Sequence, residues 1–177
     1  MSTRHIPNLP PFQQGGLDSL CGLYSIVNAE RIINQSSAEQ AQALFDEMVH
    51  FLSRKRLLTR LLLDGVIHSQ MILIMERVVN GRLSNIEVPW RSQPTPDLDT
   101  FWQSMRDFLD GTPGRAIILG LNGVHDHWTV IHSISSKSVF LYDSDRLTRL
   151  PRVECTTAKH RRKHHLLPAQ TYFLSKN

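Results

Sequence analysis

Two cysteines, Cys21 and Cys155, are all that the 177 residues contain, and they lie far apart. That is too few for the disulfide framework of a small secreted domain. Paired CxxC and HExxH patterns are missing, so the strong zinc signatures are absent and no metal is expected. GLNG and QQGG lack the spacing of a phosphate-binding glycine loop, and no cofactor is expected. No stretch approaches the roughly 18 apolar residues that cross a bilayer. The opening MSTRHIPNLPPF has no apolar core like that of a signal peptide. There is no internal repeat and no low-complexity linker.

These absences leave an ordinary folded composition, 41% hydrophobic and 20% charged. A chain of this length buries a real core without disulfides or metal. Lys+Arg 20 against Asp+Glu 16 gives +4, a mild excess that does not by itself indicate a nucleic-acid partner. The chain reads as cytoplasmic with reduced thiols; an effector exported without a cleaved signal has the same features. It carries no signal for an oligomeric state.

Along the chain, residues 1–12 form an irregular lead-in. Leu23, Ile26, Val27 and Ile33 make a helical stripe from Cys21 to about Ile33. Ser36 with Glu39, or Ser37 with Gln40, offers a capping box for a second helix to about Leu52. RKRLLTRLLLDG predicts a short helix ended near Gly65, with leucines 57, 58, 61 and 62 packed into the core. Residues 66–80 predict another helix with Gly81 at its end, and SNIEVPW a short strand. Asp97 or Asp99 starts a helix that Gly111 ends. The period then changes to short β-branched and aromatic runs, RAIILGL, HWTVIHSI, SVFLYD and TYFLS, with a hairpin turn at SSKS. Helices first and an antiparallel sheet after make an α+β fold in one domain, 1–177. About 13–112 is the mainly helical half and about 113–177 the mainly sheet half.

Cys21 stands where the polar, glycine-rich QQGGLDSL gives way to a helix. At a helix N-terminus, unpaired N–H groups and the dipole favour a thiolate over a thiol. A nucleophilic thiol needs a base, and the base an orienting group. His127 begins one strand of the expected hairpin and Asp143 ends the next, which brings them together across the ladder. A carboxylate there fixes one imidazole nitrogen and turns the other toward the thiol. Asp145 rivals Asp143, and His125 and His132 rival His127. Cys155, in PRVECTTAK, has no such surroundings and reads as structural.

DSLCGLYSIVNA followed much later by HWTVIHSISSKSVFLYDSD resembles the papain-like cysteine peptidases, nearest to the bacterial leader-processing peptidases of bacteriocin transporters. The likeness covers about residues 13–33 and 125–145. It implies a nucleophile helix packed on the antiparallel sheet. It also implies Cys21 as nucleophile, His127 as base and later acid, and Asp143 as the orienting residue. A glutamine usually about six residues before the cysteine serves the oxyanion hole in that family. Here Gly15 holds that place, so the role falls to Gln14, with Gln13 in reserve. The implied partner is a protein or peptide substrate, whose peptide or isopeptide bond is cleaved through an acyl-enzyme. The same triad serves amidases, deamidases and acyl transferases. A third alternative is a non-enzymatic adaptor that binds through the basic run KHRRKHH, residues 159–165, which otherwise reads as a solvated loop. Trp90 and Trp102 are expected in the core or the cleft wall.

Overall fold

The computed structural model describes residues 10–82, 85–159 and 162–176. Its elements run α1 (Cys21–Asn34), α2 (Ala38–Arg54), α3 (Leu58–Asp64), α4 (His68–Ile74), β1 (Asn85–Glu87), α5 (Leu98–Gly111), β2 (Arg115–Gly123), β3 (His127–Ile134), β4 (Ser138–Leu141), β5 (Arg149–Pro151), β6 (Cys155–Thr156) and β7 (His164–Ser175). The architecture is mixed helix and antiparallel sheet, α+β. The sheet order is β1-β7-β2-β3-β4-β5, and the short β6 joins β7 in the one parallel pairing among the described residues.

The sheet is covered on both faces. Alternate residues of its strands divide between two apolar clusters, as the two-residue strand period requires. Ile118, Val130, Trp128 and Tyr172 meet α1, α2 and α4 on one side. Ile117, Leu119, Ile131 and Phe173 meet Phe101, Trp102 and Met105 of α5 on the other. Burial of these runs on both faces explains why β2 reads as continuous hydrocarbon rather than as an alternation. Trp102 is buried and its indole N–H donates to the Ser135 carbonyl at 2.8 Å, tying α5 to the β3–β4 turn. Trp90 packs edge-on against Phe101 and Phe173, so both tryptophans belong to this second core.

Of the two capping boxes, Ser37 with Gln40 forms; Ser36 instead donates to the Glu30 carboxylate. Three expectations need correction. Leu61 is buried and Leu57 and Leu58 lie against the core, but Leu62 faces solvent on the outer side of α3, with Leu63 beside it. Strand β4 stops at Leu141, so Asp143 lies two residues beyond the strand rather than at its end. The last strand has 12 residues instead of the five of TYFLS. It takes in His164 and His165 from the basic run, and His164 is buried, so that end of the run is not a solvated loop. His160 and Arg161 of the run lie outside the described residues. Pro168 sits within β7 because the ladder is interrupted there. Leu119 pairs with Thr171 and Gly120 with Leu167, so residues 168–170 bulge out where no N–H is needed.

The start of α1 is fixed by a close approach. A Cβ on Gly22 would lie 2.8 Å from Val66 Cβ, so only glycine lets this turn rest on the 65–66 segment. Trp128 holds that segment from the sheet side, its indole N–H donating to the Val66 carbonyl at 2.6 Å. Gly22→Ala should therefore destabilise by about 1–3 kcal/mol through overpacking. A urea-unfolding double-mutant cycle with Val66→Gly, which removes that Cβ, should recover about 1 kcal/mol or more of that loss as coupling. Strict additivity would mean that the contact does not position α1.

Candidate functional site

Cys21 is the first residue of α1, and the preceding loop is built around it. Asp18 accepts from the N–H of Gly15 at 2.7 Å and of Leu20 at 3.1 Å, an Asx-type arrangement that delivers the chain into the helix. Further in, the buried Asn28 of α1 clamps the lead-in from behind. Its Oδ1 accepts from the Phe12 N–H at 2.8 Å and its Nδ2 donates to the Phe12 carbonyl at 3.1 Å. Arg31 stacks over the Phe12 ring at 4.4 Å. Asn28 was missed in the sequence, although an amide within the apolar stripe of a helix is itself a signal that the backbone of another segment must be satisfied there.

His127 opens β3, and its Nε2–H donates to Asp143 Oδ2 at 2.7 Å. Cys21 lies beside the same ring, and with Nε2 given to Asp143 the nitrogen left for the sulfur is Nδ1. Cys21 and His127 are each 8% exposed and Asp143 2%, so the three form a nearly dry set. The register explains why Asp143 and not Asp145 reaches the ring. Ile131 opposes Leu141, and the Tyr142 N–H still reaches the Val130 carbonyl at 2.8 Å. Continued straight, the ladder would bring Asp145 opposite His127. Instead Asp143 Oδ1 accepts from the N–H groups of Asp145 and Leu147, at 2.8 and 3.1 Å, and turns the chain away. One carboxylate therefore caps the turn with one oxygen and holds the imidazole with the other.

Charge and burial act against each other here. Burial alone would lower the His127 pKa, but the hydrogen bond and charge of Asp143 and the contact with Cys21 raise it to about 10. Burial alone would raise the Asp143 carboxyl, but the hydrogen bond and charge of His127 hold it below the usual carboxylate range. The sulfur and ring therefore meet with His127 carrying a proton at neutral pH. Cys155 is the opposite case. It is fully buried in the α5 core, burial and Glu154 push its thiol up to about 12, and its Sγ donates to the Pro151 carbonyl.

The two glutamines are distinguished by their bonds. Gln13 Nε2 donates to the Asp143 carbonyl at 2.9 Å, and the Gln14 N–H donates to the Ser144 carbonyl at 3.1 Å. Gln13 is thus bound into the wall between the lead-in and the β4 end. Gln14 turns its side chain to the cleft, with a buried Oε1 that has no partner. The rival histidines do not meet Asp143, although His125 lines the cleft. His125 stacks on His164 with ring centroids 5.4 Å apart and planes 5° from parallel, and His132 lies against Phe140. Among the described residues no three His, Cys, Asp or Glu side chains gather as metal ligands. No helix is long and apolar enough to cross a membrane, again among the described residues.

Cys21 and His127 line a cleft of about 500 Å³, the volume of a small ligand or a few residues of a peptide, with Asp143 buried behind the ring. Its walls are the Gln14–Ser19 loop, the Asp64–His68 segment, the 120–127 turn and Gln170 of the β7 bulge. His68 stands in the wall with its ring 6.4 Å from both Trp128 and Tyr172, and burial lowers its pKa, so it is neutral near pH 7. No protein-family model, curated protein or solved structure matches the chain.

The shifted pair predicts how stability follows pH. His127 contributes fully below its ordinary value of 6.5, and the contribution fades as pH rises through about 10. The carboxyl of Asp143 contributes above its ordinary 3.8 and fades as pH falls through its lowered value. The stability difference between wild type and His127→Ala, from denaturant unfolding, should therefore shrink steadily from about pH 6.5 to 10. A difference that stayed flat over that range would contradict the pairing.

Proposed function

We propose that this protein is a papain-like cysteine peptidase that cleaves a peptide or isopeptide bond with Cys21, His127 and Asp143. One observation carries the reading: a sulfur at the first turn of α1 lies beside an imidazole that a buried carboxylate holds at 2.7 Å, and sulfur and ring line one cleft with the carboxylate behind them.

The chemistry follows from the placement. The Cys21 thiolate adds to the carbonyl carbon, and negative charge develops on the carbonyl oxygen. The Cys21 backbone N–H and the Gln14 side-chain amide would stabilise that oxyanion. Gln14 suits the part because its side chain lines the cleft while its backbone is fixed to Ser144. The tetrahedral adduct collapses, the C–N bond breaks, and His127 gives its proton to the departing amine. Water then enters and His127 takes one of its protons as hydroxide attacks the thioester. The carboxylic acid leaves and the sulfur–imidazole pair is restored. Asp143 keeps the ring oriented throughout.

An amidase or deamidase would run the same steps on a side-chain amide and release ammonia. Intact mass separates the two: deamidation shifts a substrate by about one dalton, whereas peptidase action splits the chain. Cys21→Ala should abolish turnover in lysate activity profiling, and with it low-pH labelling by iodoacetamide. Labelling confined to Cys155 would overturn the assignment. On a substrate so found, Gln14→Ala should lower kcat about 100-fold with little change in KM. Unchanged kcat would remove Gln14 from the oxyanion hole.

A further inference from the structure

We infer that the cleft selects a positively charged polypeptide segment, with lysine or arginine side chains flanking the bond that Cys21 attacks. The inference rests on the proposed enzyme reading and names its substrate class.

The cleft inverts the charge of the chain around it. Overall, Lys+Arg 20 exceed Asp+Glu 16. Among the described residues that line the cleft there is no lysine or arginine, yet four carboxylates stand there: Asp18, Asp64, Asp126 and Asp145. They come from four separate segments, namely the loop before α1, the end of α3, the β2–β3 turn and the turn after β4. Asp18 has its oxygens held by the Gly15 and Leu20 N–H groups, so its charge is fixed at the mouth. Asp64 has one nearby cation, Arg60 at 3.6 Å, but both side chains are about two-thirds exposed and the pair is weak. The positive groups of the site do not cancel this field. The His127 proton is paired with the buried Asp143 at 2.7 Å, His68 is neutral near pH 7, and the His125 ring is stacked on His164. A cleft lined by one sign of charge concentrates the opposite sign and raises its encounter rate.

The rim indicates that the cation is part of a polypeptide. Leu17, Ile67 and Val124 are exposed apolar side chains on three different loops around the opening. Leu17 precedes the lining residue Asp18, Ile67 lines the cleft itself, and Val124 precedes the lining residue His125. Apolar contacts outside a carboxylate-lined mouth suit an extended chain whose lysine or arginine stems carry methylene groups. A small cation would leave them bare.

The test compares the rates at which Cys21 of the full chain displaces methanesulfinate from a cationic trimethylammonium-ethyl and an anionic sulfonatoethyl methanethiosulfonate, each normalised to a free thiol. Peptide mass mapping assigns the label to Cys21 rather than Cys155. At low salt the cation should react about tenfold faster or more, and the preference should fade in about 0.5 M salt. The exposed triple variant Asp64→Asn, Asp126→Asn, Asp145→Asn should lose most of the preference, and Asp107→Asn on α5 should keep it. Hexa-arginine should protect Cys21 better than the same concentration of arginine residues supplied free, and hexaglutamate should not protect it. A wild-type ratio near one, a ratio that the triple variant leaves intact, or equal protection by free arginine would overturn the proposal. A Cys21 rate that ignores His127→Ala would remove the enzyme reading alone, because the charge ratio is measured without any turnover.

Discussion

The buried bond from His127 to Asp143 is the constraint around which the site is arranged. Taking an imidazolium and a carboxylate out of water is expensive unless each finds compensating partners. The fold supplies them on every side: Oδ1 of Asp143 is satisfied by two turn N–H groups and Oδ2 by the ring, and the sulfur lies beside the ring. A hydrophobic pair would make an equally good core at less cost. The charges therefore hold a proton close to a sulfur at a cost that packing alone does not require.

From that bond outward, each neighbour restricts one freedom. The turn after β4 fixes the carboxylate, and the Asp143 and Ser144 carbonyls fix Gln13 and Gln14. Asn28 fixes the lead-in to α1, and Gly22 with Val66 and Trp128 fixes α1 to the sheet. The site is thus assembled from residues 12–28, 64–68, 120–128 and 143–145, brought together by the placement of α1 against β3. Distant parts of the chain meet in it, while α5 supports the sheet from behind.

Much of this arrangement was legible in the residues. The α1 stripe, the helix-to-strand change after Gly111 and the β3–β4 hairpin all carry strong local periodicity, and local periodicity survives tertiary context. What was not legible depended on register or on non-local bonds. Spacing could not separate Gln13 from Gln14, because in an irregular loop only the carbonyls across the gap decide which side chain turns inward. The sequence signals only the last five residues of β7, because Pro168 and the basic run mimic a loop; a bulge accommodates the proline, and the sheet buries His164. Leu62 has the composition of a core residue yet faces solvent, because apolar character alone does not say which side of a short helix faces the protein. Gly22 shows its purpose only once Val66 is beside it.

The two sulfurs lie on opposite sides of the sheet, Cys21 with the α1 cluster and Cys155 sealed among the α5 contacts. A sulfenic acid formed on Cys21 would have no resolving thiol within the same chain. Its repair would depend on small thiols that diffuse into the cleft, so the fold leaves that sulfur answerable to the redox state of its surroundings rather than to an internal partner.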